Sequence, residues 1–203
     1  MMEDFTCNTG LVDSFVFESR RLIKLQITHI ISDLDDTLCS RRAQMRNEPL
    51  LKENRGEAWN AIVFNEIWAH DFILEHYEWI GIPQDILTKM DENNSLILTA
   101  GIRILQELKI RSLWLDYLNY TVVPHGEDKI LETIYHILFD LKYIPEIIEV
   151  YEDRPHYFLK YRDLIETCLW TKLKVFLVEM NGNQWYKKIE ELSSQENLKN
   201  CKT

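Results

Sequence analysis

The chain has 203 residues, 46% of them hydrophobic and 28% charged, with a formal net charge of -10 at pH 7. That length houses one domain with a real core and a small insertion. The negative balance excludes a tight, non-specific grip on a nucleic-acid backbone, which needs a basic field, and leaves room only for a locally basic pocket around a terminal phosphate.

Cys7, Cys39, Cys168 and Cys201 show no C-x-x-C spacing, no apolar run reaches transmembrane length, and no signal peptide opens the sequence. The expectation is a reduced, cytoplasmic protein with no membrane attachment and an oligomeric state that the sequence leaves open.

In chain order, residues 1–24 carry the weakest pattern. Leu11-Val12-Asp13-Ser14-Phe15-Val16-Phe17 fits a strand or a helical turn, and the expectation is a strand or arm packed on the main domain. Leu25 to Asp33 runs into a short apolar stretch, the mark of a buried parallel strand. Residues 38–56, with Arg41, Arg42, Arg46 and Pro49, carry turn formers and charge and suit a loop or short hairpin. From Glu57 to Ile80, Trp59, Ile62, Val63, Ile67, Phe72, Tyr77 and others recur at helical spacing. Gly81-Ile82-Pro83 ends that helix, and Pro83 opens a second one towards Met90. This helical block is an insertion between two strands.

Beyond it strand and helix alternate. Strands are expected at Ser95–Thr99, Tyr120–Val123, Ile147–Tyr151 and Leu173–Val178. Helices are expected at Ile102–Leu115, Asp128–Leu141, about Pro155–Thr171 and Trp185–Leu192. Such alternation predicts an α/β fold, a Rossmann-like parallel sheet covered by helices on both faces, with ligands outside the carboxyl ends of the strands.

The polar residues of interest fall at those ends. The first strand delivers Asp33-Leu34-Asp35-Asp36-Thr37, and carboxylates packed this closely repel one another unless a cation offsets them. A hard divalent ion, Mg²⁺ where a phosphate is also bound, suits that role, although an acidic turn in solvent has the same sequence. Leu96-Ile97-Leu98 delivers Thr99-Ala100-Gly101 before a helix, which is either a phosphate site of hydroxyl and backbone N–H groups or a simple N-cap. Lys129 opens a later helix, facing solvent or turned towards acidic partners. Ile147–Tyr151 delivers Glu152-Asp153-Arg154, where Arg154 either binds substrate or pairs with Glu152.

In that order these four features resemble the motifs of the haloacid dehalogenase superfamily of phosphohydrolases, over roughly residues 25 to 180. Leu98-Thr99-Ala100-Gly101-Ile102-Arg103 and Tyr151-Glu152-Asp153-Arg154-Pro155-His156 further resemble the Swiss-army-knife, RNA-repair-like branch, with one extra residue before Arg103 and His156 one position early.

The resemblance implies one domain over 1–203, with its core at about 25–45 and 93–180 and a helical cap inserted at 46–92. It implies Asp33 as a nucleophile that forms an aspartyl-phosphate and Asp35 as general acid and base. Thr99, Gly101 and Lys129 would hold the phosphate, and Lys129 would also balance Asp33. Mg²⁺ would be held by Asp33, Asp153 and the backbone carbonyl of Asp35, with Glu152 beside them; the acidic pair can exchange these jobs. The expected activity is a Mg²⁺-dependent phosphatase on a phosphorylated small molecule or a nucleic-acid end. Two other classes fit the same motifs: a non-catalytic module that binds a phosphate end or a partner, and a phosphotransferase to an acceptor other than water. His156 is read as a leaving-group aid or as structural, Asp36 as solvated or capping, and Cys39 as packed.

Overall fold

The computed structural model describes residues 9–41, 70, 73–74, 77–79, 88–180 and 186–192. Its centre is a six-stranded sheet of β1 (Ile23–Ser32), β4 (Ser95–Ala100), β5 (Asn119–Val123), β6 (Tyr143–Glu152), β7 (Lys172–Met180) and β8 (Tyr186–Leu192), ordered β5-β4-β1-β6-β7-β8. Five strands run parallel, and β8 closes the β7 edge antiparallel. A separate two-stranded ribbon pairs β2 (Cys39–Arg41) with β3 (Tyr77–Trp79).

The sheet separates two apolar layers, because successive residues of a strand face opposite sides. On one side Ile30, Ile97, Tyr151 and Val178 pack with Leu105 and Ile110 of helix α2 (Arg103–Ser112) and with Leu113 just after it. On the other, Ile31, Leu96, Leu98, Val150 and Val175 pack beneath four helices. These are α1 (Thr9–Ser19), α3 (Asp128–Tyr135), α4 (His156–Lys160) and α5 (Arg162–Leu169). The fold is therefore α/β, a mostly parallel mixed sheet with helices on both faces, compatible with a Rossmann-like architecture. Strand order reverses at β1, since β4 and β6 lie on either side of it. Ligands in such sheets sit at the carboxyl ends beside that reversal.

Four expectations are corrected. Residues 9–19 form helix α1, where a strand or arm was expected; Phe15 is buried and meets Tyr135 edge-on at 5.5 Å. Tyr77–Trp79 is a strand, not the end of a helix, because β2 offers it a backbone partner and Tyr77 is buried in the α2-side layer. Residues 186–192 form edge strand β8 in place of a terminal helix. Ile189 packs on one side of the sheet and Leu192 on the other, and a helix would place both on one face. The single helix expected over Pro155–Thr171 is broken at Tyr161, whose φ of -108° leaves the helical region and separates α4 from α5.

Helix α3 continues as a π-helical stretch, His136–Leu141, and stops at Lys142 in the left-handed conformation. His70, Ile73 and Leu74 are helical, and Ile73 is fully buried. The rest of the helix expected from Glu57 to Ile80, the helix from Pro83, most of the 46–92 insertion, Arg42 and Arg46 lie outside the described residues.

Candidate active site

The sheet ladder carries one step past β1, with the Asp33 N–H donating to the Tyr151 carbonyl at 2.9 Å. The chain then turns at once. The N–H groups of Leu38 and Cys39 both donate to the Leu34 carbonyl at 2.9 Å, and buried Leu34 and Leu38 pin the turn to the core. Asp36 takes the left-handed conformation, φ 56°, which aspartate tolerates better than most residues, and its N–H donates to the Cys39 carbonyl. Asp36 therefore shapes the turn. Asp33, Asp35 and Asp36 all line one cavity of about 460 Å³ at the carboxyl ends of the strands.

From the neighbouring strand end, β6 brings Glu152 and Asp153 to the same place. Carboxylate oxygens of Asp33, Glu152 and Asp153 lie within 4.8 Å of one another. The first turn of α3 aims Lys129 between them, with Nζ 3.0 Å from Asp33 Oδ1 and 2.7 Å from Glu152 Oε2. All four side chains are largely removed from water. Burial disfavours the charge on Lys129, but Asp33 and Glu152 outweigh it and hold the ammonium protonated, above its ordinary range. Burial and then Asp33 push Glu152 well up, and the same two causes raise Asp153 to about 6. Among the described residues one buried cation, Lys129, faces these three carboxylates, and the exposed Arg154 reaches only Asp153.

Asp35 is held apart from this cluster. Its Oδ1 and Oδ2 lie 2.7 and 2.8 Å from Lys109 Nζ, and Gln106 Nε2 donates to Oδ2 at 2.9 Å. Lys109 and Gln106, both buried on α2, were not anticipated from the sequence. A signal did exist: they share the helical stripe of Leu105, Ile110 and Leu113, where a lysine is out of place unless paired. Gly101 makes the reach possible. Its φ is 139°, open essentially to glycine alone, and a Cβ there would lie 3.1 Å from Gln106 Nε2.

The remaining candidates fall into place around the cavity. Thr99 is buried and lines it. The Gly101 N–H donates to the Val123 carbonyl at 2.9 Å, so it is spent on the sheet and not open to a phosphate. Arg154 stands at the rim, with Nε 3.5 Å from Asp153 and not paired to Glu152. His156, first residue of α4, lines the cavity with its ring 3.8 Å from that of Tyr157 and tilted 44° to it, its imidazole shifted down by burial and by Arg154. Thr37 is buried, and its Oγ1 has no hydrogen-bond partner among the described residues. Cys39 is fully buried, as expected.

The donor set fits a hard cation. Three carboxylates with a single lysine leave a negative excess in a poorly solvated place, and oxygen-only ligands suit Mg²⁺ or Ca²⁺. The Asp35 side chain is not among those three. Comparisons add no relative: no family model, no curated protein and no solved structure matches the chain. No helix among the described residues is long and apolar enough to cross a membrane.

Proposed function

We propose that this chain is a Mg²⁺-dependent phosphohydrolase of the haloacid dehalogenase type, acting on a phosphomonoester through an aspartyl-phosphate. A nucleotide or an RNA phosphate end is the preferred substrate class. One observation supports the reading above the others: Asp33, Glu152 and Asp153 converge at two adjacent strand ends around Lys129. A surface acid pair and a solvent-facing lysine, the ordinary alternatives, would not be buried together.

Asp33 attacks phosphorus, and the bond to the leaving oxygen breaks as Asp35 gives that oxygen a proton. Water then attacks the aspartyl-phosphate, Asp35 takes its proton, and the bond between phosphorus and Asp33 breaks to release phosphate. Lys129 balances the Asp33 carboxylate and, with Thr99, faces the non-bridging oxygens. Asp33 and Asp153, with Glu152 beside them, would hold Mg²⁺, which would supply the charge that lets a carboxylate approach a phosphate. Arg154 at the rim suits a contact to the rest of the substrate.

The test is phosphate release from an aryl phosphate, nucleoside monophosphates, sugar phosphates and oligonucleotides with 3′- or 5′-phosphate, with and without Mg²⁺. The expected result is Mg²⁺-dependent release that Asp33→Asn abolishes. A folded protein that binds Mg²⁺ and releases phosphate from none of them overturns the proposal in favour of a binding module.

A further inference from the structure

We infer that Lys109 is a positioning residue for proton transfer: it fixes the Asp35 carboxyl at the cavity wall, and Gln106 completes its hold. The inference rests on the phosphohydrolase reading, in which Asp35 serves the leaving group and then the water.

The geometry is specific. Lys109 Nζ touches both oxygens of Asp35, so the carboxyl cannot turn about its own bond without losing a charged contact. Gln106 Nε2 adds a third contact and is itself steadied by the Ala100 carbonyl at 3.2 Å. On its other side Lys109 Nζ lies 4.8 Å from the centre of the Tyr77 ring, which closes off solvent. Only Asp35 in this group keeps an open face, its side chain 38% exposed against 4% for Lys109. The open face is on the cavity.

Replacing both members of a buried ion pair by apolar residues of the same volume is often neutral, so stability alone is a weak reason for this pair, and α2 already presents Leu105 and Ile110 to the core. A methionine at 109 would fill the stripe. What it would not do is hold a carboxyl in one orientation beside the Asp33 nucleophile, two residues away, where misplacement costs rate and not substrate affinity. Tyr77 also ties Lys109 to the β2–β3 ribbon.

The experiment measures single-turnover release of the leaving group, so that only the first displacement is read. Wild type, Lys109→Met and Lys109→Arg are compared on an alkyl phosphate, whose alkoxide needs a proton, and on 4-nitrophenyl phosphate, whose phenolate does not. For Lys109→Met the expected loss is about 10- to 100-fold on the alkyl ester and within about threefold on the aryl ester, with KM little changed. Lys109→Arg recovers part of the difference. Gln106→Leu, which removes one donor and no charge, shows the same selectivity in smaller degree and serves if Lys109→Met does not fold. Equal losses on both esters, or none, overturn the positioning role alone and leave a structural ion pair. Wild type inactive on every ester overturns the phosphohydrolase reading and this inference with it.

Discussion

Lys129 Nζ lies 3.0 Å from Asp33 Oδ1, so the lysine in the first turn of helix α3 and the aspartate just past strand β1 form one buried ion pair. The contact crosses between β1 and a helix on the sheet's second face. It is also shared, since Glu152 takes the same ammonium at 2.7 Å. The site is thus held together by opposite charges before any ligand arrives, and its balance is negative.

Lys129→Met is expected to remove about 3–5 kcal/mol of stability, because it leaves Asp33 and Glu152 buried without their cation. Urea unfolding measures the loss. Added Mg²⁺ should restore more stability to Lys129→Met than it adds to wild type, as the metal takes over the neutralising charge. A variant as stable as wild type in metal-free buffer would show that the pair contributes no net stabilisation.

Asp153 gives the metal-free protein a pH dependence of definite sign. Its carboxyl, raised from 3.8 to about 6 by burial and Asp33, keeps a proton in the folded chain that the unfolded chain has released. Its contribution to stability is present near pH 4 and lost as pH rises through 6, by at most about 1.4 kcal/mol per pH unit. Binding of Mg²⁺ requires the ionised group, so affinity should rise with pH through the same window. Unfolding in chelator and in Mg²⁺ at several pH values, for wild type and Asp153→Asn, reads both effects. A pH slope unchanged in Asp153→Asn would sink the assignment.

His29, on the α3 face of the sheet, works in the opposite sense. It is fully buried, neither ring nitrogen has a partner among the described residues, and its ring lies 5.2 Å from that of His136, whose Nδ1 meets Asp140. Burial and then His136 lower it from 6.5 to about 3, so the unfolded chain takes a proton that the folded chain refuses. Its stabilising contribution is complete above about pH 6.5 and is lost as pH falls towards 3, again by at most about 1.4 kcal/mol per unit. His29→Leu should therefore gain on wild type steadily as the solution is acidified, in paired unfolding measurements. A constant gap between the two would contradict it.

How much of this was legible in the sequence depends on the range of the interaction concerned. The apolar runs at Ile30–Ile31, Leu96–Leu98, Ile147–Val150 and Leu173–Val178 are local signals, and each proved to be a strand of one sheet. Asp33, Thr99, Glu152 and Asp153 follow those runs directly, so placing the strands also placed them. Lys129 needed only a helix start. A buried strand must end in the same layer as its neighbours, and chemistry written just after it is carried along.

What the tertiary structure alone decided were the partnerships. Tyr186–Leu192 carries the spacing of a helix turn, yet the open edge of β7 offered its backbone a row of hydrogen bonds, and pairing prevailed over local preference. Tyr77–Trp79 was drawn the same way to Cys39–Arg41. Asp35, read as general acid and base two places after the expected nucleophile, is gripped by Lys109 and Gln106 across 74 and 71 positions of chain. Gly101, read as a phosphate contact, gives its N–H to β5 and its empty side to Gln106. The sequence by itself determined which groups arrive at the carboxyl end of the sheet, because periodicity and strand ends are properties of neighbours along the chain. Which of those groups neutralise one another was settled only by folding, because charge pairing in a buried place depends on distances through space.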